Sequence, residues 1–214
     1  MSRNSSRLSV LRWTQRSLLA GALLLLGWSG FNLLEAWRFQ DQRSREFDEV
    51  VVQERQNEAR PLPTRNPSAP RKQNARLTNG LIGRLKVPRI GLSVMVMEGS
   101  GEDTLRRAAG HIPGTALPGE PGNIGISGHR DTFFRPLKNI QEDDLISLTT
   151  PQGAVQYRVV STSVVSPQEV AVLDPTGNDS LTLVTCYPFS FVGAAPERFI
   201  VRAELVTTLM TNTR

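Results

Sequence analysis

From about residue 80 onward the chain is a succession of short runs rich in Val, Ile, Leu and Thr, each cut off by Gly, Pro, Asn or Asp. That texture leaves little room for long helices. β-Branched and aliphatic side chains suit a pleated surface, and the punctuating residues supply the turns. The runs read as strands at Gly83–Val87, Leu92–Met97, Asn123–Ser127, Leu145–Thr150, Val155–Ser166, Leu181–Cys186 and Arg198–Leu205. Short strands joined in this way predict an all-β domain, either a sandwich or a barrel. Short helices are expected near Asp103–Ala108 and Phe134–Ile140. Residues 110–122 hold Pro113, Gly114, Pro118, Gly119, Pro121 and Gly122, and read as a structured loop.

Ahead of this domain lies a segment of different character. Arg3, Arg7, Arg12 and Arg16 precede Ser17–Leu34, and no charge follows until Glu35. An uncharged stretch of that length, wound as a helix, spans the hydrocarbon core of a bilayer. Trp28 and Trp37 fall toward its far end, where aromatic rings favour the interface. A cleaved signal peptide would have a shorter apolar core and then a small-x-small site. Here apolar residues continue past Trp28-Ser29-Gly30, and no Ala-x-Ala follows. An uncleaved single-pass anchor over residues 17–37 is therefore expected. The basic tail, 1–16, stays in the cytoplasm and the rest of the chain lies outside the cell membrane.

Residues 38–79 are charged from Arg38 to Arg60 and then proline-rich from Arg60 to Lys72. Such a composition cannot build a core, so an extracytoplasmic stalk is expected. Phe47, Val50, Val51 and Glu54 have the spacing of a short helix within it. The β domain then occupies 80–207, with a flexible tail at 208–214. The net charge of +5 is concentrated in the first arginines, which leaves 21 basic against 20 acidic side chains. A nucleic-acid surface would spread its basic residues over the folded part, so that class is excluded.

The chain has one cysteine, Cys186, at the end of the run Leu181-Thr182-Leu183-Val184-Thr185-Cys186. A single cysteine forms no disulfide within the chain. It is either a small buried hydrophobe or a nucleophile, and the second reading needs a base and a charge stabiliser. Of the two histidines, His129 ends a strand-like run at Gly128-His129-Arg130, whereas His111 sits in the Pro/Gly loop and reads as a loop-positioning residue. Arg198 opens the last strand, and its rigid fork of donors suits a developing oxyanion. Its bland alternative is a surface pair with Glu197 or Glu204. Arg202 and Arg130 compete as the same residue type, with Arg130 expected to point away from His129. No His or Cys cluster has zinc-ligand spacing, the acidic residues follow no calcium-loop pattern, and no glycine-rich phosphate loop joins a strand to a helix. No cofactor and no metal are expected.

The order Gly128-His129-Arg130, then Thr182-Leu183-Val184-Thr185-Cys186, then Glu197-Arg198-Phe199-Ile200-Val201 resembles the sortases, cysteine transpeptidases of bacterial cell surfaces. The stretch His111–Asn123 and the run Gly128–Phe134 are similar to class D members in particular. This resemblance covers residues 80–206. It implies a closed eight-stranded β-barrel, with Cys186 as nucleophile, His129 as general acid/base and Arg198 as the oxyanion-stabilising residue. It also implies the partners. One is a surface protein with a C-terminal LPxTG-like sorting signal, cleaved through a thioacyl-enzyme. The other is an amine acceptor, from a peptidoglycan precursor or a pilin-like subunit. Two other functions fit the same residues: a peptide hydrolase that releases the acyl-enzyme to water, and a non-catalytic surface barrel.

Overall fold

The computed structural model describes residues 3–58, 80–175, 177–190 and 193–206. A helix, α1 (Arg3–Glu58), is followed by eight strands that close into a barrel. They are β1 (Leu81–Val87), β2 (Leu92–Glu98), β3 (Ala109–His111), β4 (Asn123–Ser127), β5 (Leu145–Thr150), β6 (Gly153–Val165), β7 (Ser180–Tyr187) and β8 (Glu197–Leu205). Around the barrel the order is β1-β2-β3-β4-β7-β8-β6-β5. The β2–β3 and β4–β7 pairs are parallel and the others antiparallel. Every strand read from the sequence is present. The closed barrel settles the choice between sandwich and barrel.

Three local expectations are corrected. Residues 109–111, at the start of the expected loop, form β3, paired to β2 on one side and β4 on the other. Ala-Gly-His has no intrinsic strand preference, so this element is imposed by its neighbours. The helix expected at Asp103–Ala108 is a single turn, α2 (Glu102–Leu105). The one expected at Phe134–Ile140 is a 3-10 turn at Arg135–Asn139, where Pro136 cannot donate to an α-helical ladder.

The chain divides into two compact units, residues 1–39 and 40–214. Within the first, α1 carries exposed leucines at 18, 19 and 23–26. Among the described residues no helix is long and apolar enough to cross a membrane. Within the second, the later part of α1 docks on the barrel. Phe47 is buried with Leu81 and Met95, and Val51 and Met97 pack at its edge. Gln40 accepts the Met95 N–H at 2.9 Å and donates to the Arg107 carbonyl at 2.6 Å. Arg84 bonds Asp48 at 2.9 Å and Ser44 Oγ at 2.6 Å, with its guanidinium 5.2 Å from the centroid of the Phe47 ring. The charged stretch expected to begin the stalk thus has an amphipathic start that leans on the barrel. Its proline-rich continuation lies outside the described residues.

Strand alternation decides what faces the core. Leu181 and Leu183 of β7 lie opposite Ala203 and Val201 of β8, and all four are buried in the main cluster with Leu85, Ile126 and Leu148. Residues of the other parity therefore project outward: Thr182, Val184 and Cys186 on β7, and Arg198, Ile200 and Arg202 on β8. Away from that face, Asp144 is buried and bidentate to Arg89, with Nη2–Oδ2 at 2.6 Å and Nε on Oδ1, and it accepts the Gln141 N–H at 2.8 Å. The Arg89 hydrogen bond holds the Asp144 carboxyl below its ordinary value of 3.8, against the opposing effect of burial. The stability this supplies is present above about pH 4 and is lost as pH falls through the depressed value. Asp144→Asn should cost about 1–2 kcal/mol at neutral pH, the half-exposed Arg89 limiting the effect. It should also flatten the acid side of the stability curve, read by denaturant melts from pH 2 to 7.

Candidate active site

The parallel β4–β7 pairing runs from Asn123↔Ser180 to Ser127↔Val184. Beyond it, the Gly128 N–H bonds the Val184 carbonyl at 3.1 Å and Thr185 Oγ1 donates to the Gly128 carbonyl at 2.7 Å. His129 is thereby carried level with Cys186. On the other flank Cys186 lies directly opposite Arg198 in the antiparallel β7–β8 ladder. Directly opposed residues project from one face with Cβ atoms roughly 4.5–5.5 Å apart. Three strands thus bring His129, Cys186 and Arg198 to one rim, on the outer face of the barrel.

The supports of that rim are packing contacts. A Cβ at residue 128 would come within 2.8 Å of the Phe134 ring, so only glycine lets the ring close beneath the His129 turn. Phe134 is fully buried there, and its N–H bonds the His129 carbonyl at 3.0 Å. Among the described residues the His129 imidazole has no hydrogen-bond partner, which leaves both ring nitrogens open to a substrate. Beneath Cys186 three aromatic rings interlock. Tyr187 and Phe199 stack at 6.2 Å, while Phe189 meets Tyr187 edge-on at 6.0 Å and Phe199 at 5.3 Å. Cys186 itself is half-buried and free. Arg198 donates through Nη1 to the carbonyls of Glu197 (2.9 Å) and Ala195 (3.3 Å), which steadies the guanidinium at the strand end.

Below the rim, the outer face of β4 and β7 is covered, with Asn123 and Gly125 buried. Thr182 is buried and donates to Asn123 Oδ1 at 2.8 Å. Gly125 presents no side chain, and a Cβ there would meet Thr115 at 3.0 Å and Leu173 at 3.1 Å. The loop after β3 and the loop between β6 and β7 therefore converge over Gly125 and flank the approach to the rim. The second loop is tied down at its Val172 carbonyl by Arg202 at 2.6 Å and Asn123 at 3.3 Å. Arg202 thus serves this loop and not the rim. Arg130 reaches across to the Gly193 carbonyl at 3.0 Å, joining the His129 turn to the loop between β7 and β8. His111, at the end of β3, is buried between Glu98 (3.2 Å), Thr115 Oγ1 (3.1 Å) and the Ala116 carbonyl (3.0 Å), a structural post beneath the first loop. Among the described residues, no three His, Cys, Asp or Glu side chains come together to hold a cation.

The barrel is shared by known proteins. The sortase domain family model matches residues 85–206. The chain belongs to the sortase family. Sortase D of Bacillus subtilis strain 168 is 30% identical over 192 residues, covering 89% of this chain and 96% of that protein. Sortase A of Bacillus anthracis is 28% identical over 60% of this chain and 61% of its own. Among solved structures, a Clostridium perfringens sortase D5 transpeptidase superposes with a TM-score of 0.59 at 27% identity, over 80% of this chain and 98% of that one. Streptococcus pneumoniae sortase C gives 0.62 at 26% identity, over 76% and 95%. The likeness to class D expected from the sequence is met by a match that spans almost the whole chain. The sortase is accordingly a cysteine transpeptidase on an eight-stranded barrel.

Sequence reasoning placed the three rim residues but missed their supports. The aromatic trio had a readable signal, since Tyr187 and Phe199 share the inward parity of Leu183 and Val201. The closure of Phe134 on Gly128 had only the glycine itself.

Proposed function

We propose that this sortase is held in the cell membrane by residues 17–37, with its barrel outside. There it cleaves an LPxTG-like sorting signal and passes the acyl group to an amine. The observation that carries the chemistry is the β4–β7–β8 register, which sets His129, Cys186 and Arg198 side by side on an outward-facing rim. The anchor is supported by the uncharged run Ser17–Leu34 behind four arginines, wound within a single helix with leucines 18, 19, 23–26 and 34 exposed.

In the first half-reaction the Cys186 thiolate attacks the carbonyl carbon before the scissile bond. Negative charge moves onto the carbonyl oxygen, opposite the Arg198 guanidinium. As the tetrahedral intermediate collapses, protonated His129 gives its proton to the departing amine, leaving a thioester on Cys186. In the second half-reaction the acceptor amine attacks the thioester and surrenders a proton to His129, and the Cys186 sulfur leaves. The enzyme returns to its starting state with one amide broken and one formed. The half-exposed positions Ser127, Val184 and Cys186, beyond the two loops, suit the end of an extended peptide leading up to the thiol.

The test is a peptide of LPxTG type incubated with and without an added amine, with products and the enzyme adduct read by mass. A thioacyl adduct on Cys186 and a new amide that appears only with the amine are expected. Release of free acid alone, at the same rate with or without amine, would replace the proposal with a hydrolase. In this assay Arg198→Ala should lower kcat/KM by about 10²–10³. Arg198→Lys should recover little of the loss, because a point charge lacks the fork. An unchanged kcat/KM in both variants would remove Arg198 from the mechanism.

A further inference from the structure

Among the described residues the outer half of β6 is an unguarded strand edge. β5 pairs with β6 only from Thr150↔Gly153 to Leu145↔Arg158, and the last bonds on that side join Asp143 and Asp144 to Val159. β8 continues along the other side to Val165↔Arg198. Among the described residues nothing pairs with the second edge beyond Val159. Residues 160–164 are all exposed, Val160 at 39% and Val164 at 42%. Natural sheets protect an edge of this length with lysine, proline, a bulge or a covering segment. From Val159 to Val165 there is no charge and no proline, only an irregularity between Val159 and Ser161.

The sequence of this edge reads the same in both directions: Val159-Val160-Ser161-Thr162-Ser163-Val164-Val165. We propose that it is an association edge for a second copy of this sortase, paired antiparallel about a twofold axis at Thr162. An isologous strand pair brings residue i against its mirror position. Here that sets Thr162 against Thr162, Ser161 against Ser163 and Val160 against Val164. Threonine and serine pairs hydrogen-bond across such a ladder and valine pairs pack, so every row is favourable. At each flank the bonds from Asp143 and Asp144 to Val159 end the pairing, and the axis brings no like charges together. Hydrophobic and hydroxyl rows without charge suit this chain's own edge better than a charged partner strand.

The location ties the edge to the site. Val165 lies beside Arg198, which lies opposite Cys186, so the edge is one strand from Arg198 and two from Cys186. A twofold normal to the joined sheet leaves both copies' rims on the same side. A five-residue strand pair buries far less than the roughly 1,200 Å² of a stable interface. The pair is therefore weak in dilute solution and forms where the chains are crowded.

The test uses the full chain in phospholipid vesicles, in a Cys186→Ser background so that an introduced thiol is alone. Single cysteines at 160, 161, 162, 163 and 164 are oxidised, and disulfide-linked dimer is followed on non-reducing gels. Opposed residues of an antiparallel pair have Cα atoms about 4.5–5.5 Å apart, within disulfide reach, whereas each step off the axis separates like positions further. Thr162→Cys should therefore cross-link several-fold faster than its neighbours, with rates falling on both sides. Adding Val164→Lys to it should abolish that advantage. A flat profile across the five positions, or a maximum elsewhere, would overturn the proposal. All five positions are exposed, so the variants keep the fold. Cross-linking reads association alone, whether or not Cys186 is the nucleophile.

Discussion

Cys186→Ala is expected to abolish turnover of an LPxTG-like peptide, a loss of about 10⁴-fold or more, with the melting temperature almost unchanged. The two halves of that expectation come from different features. Removal of a nucleophile eliminates the covalent route and leaves only what binding and charge stabilisation supply. The small stability effect follows from position. Cys186 projects from the outer face, is half-buried and bonds to nothing described, while the aromatic trio and the Leu183–Val201 pair hold the strand from the inner face. Loss of one sulfur atom there opens no closed cavity, so a cost within about 0.5 kcal/mol is expected. Peptide cleavage, adduct mass and a thermal melt on the same preparation separate the effects. A Cys186→Ala protein that turns over at the native rate would end the nucleophile assignment. One that loses activity together with its melting transition would return Cys186 to a packing role.

The strands that carry the rim were legible because they are long enough to show a pattern. β7 and β8 alternate or run apolar over eight and nine residues, and their bounds were read to within a residue or two. What joins them was not legible. His129 and Cys186 are brought level by a parallel pairing between segments far apart in sequence, and no local propensity encodes that register. β3 was hidden for the same reason, since only β2 and β4 make Ala109-Gly110-His111 extended. The later part of α1 shows the reverse case. The helical spacing of Phe47, Val50 and Val51 was visible, but not that Phe47 has a socket at Leu81 and Met95, because the socket belongs to the barrel. Arg130 was expected to point away from His129. Its bond to the Gly193 carbonyl makes it a link between two loops, a contact that depends on how the second loop folds back.

The two histidines supply a sharper test of the site than any single substitution, because the proposed mechanism gives His129 the chemistry and the packing gives His111 a structural place. His129→Ala should lower kcat/KM by about 10²–10⁴, the range for loss of a positioned acid/base. Its stability should hold, since the turn is fixed by backbone bonds and by the Phe134 ring closing on Gly128, none of which involves the imidazole. Added imidazole should restore part of the rate, as a small base can enter the space the side chain leaves. His111→Ala should behave differently. That ring is 2% exposed and its nitrogens face the Glu98 carboxylate, Thr115 Oγ1 and the Ala116 carbonyl. Its loss leaves the part-buried Thr115 hydroxyl and Ala116 carbonyl without their partner, at about 1–2 kcal/mol, and empties a ring-sized space behind the loop. The expected signature is a destabilised protein whose remaining folded fraction still forms the thioacyl adduct. Steady-state rates with and without imidazole, set beside denaturant melts of both variants, distinguish the roles. If His111→Ala proves the rescuable, stable, inactive variant and His129→Ala does not, the acid/base belongs to β3, and the rim at Cys186 would need a different proton path.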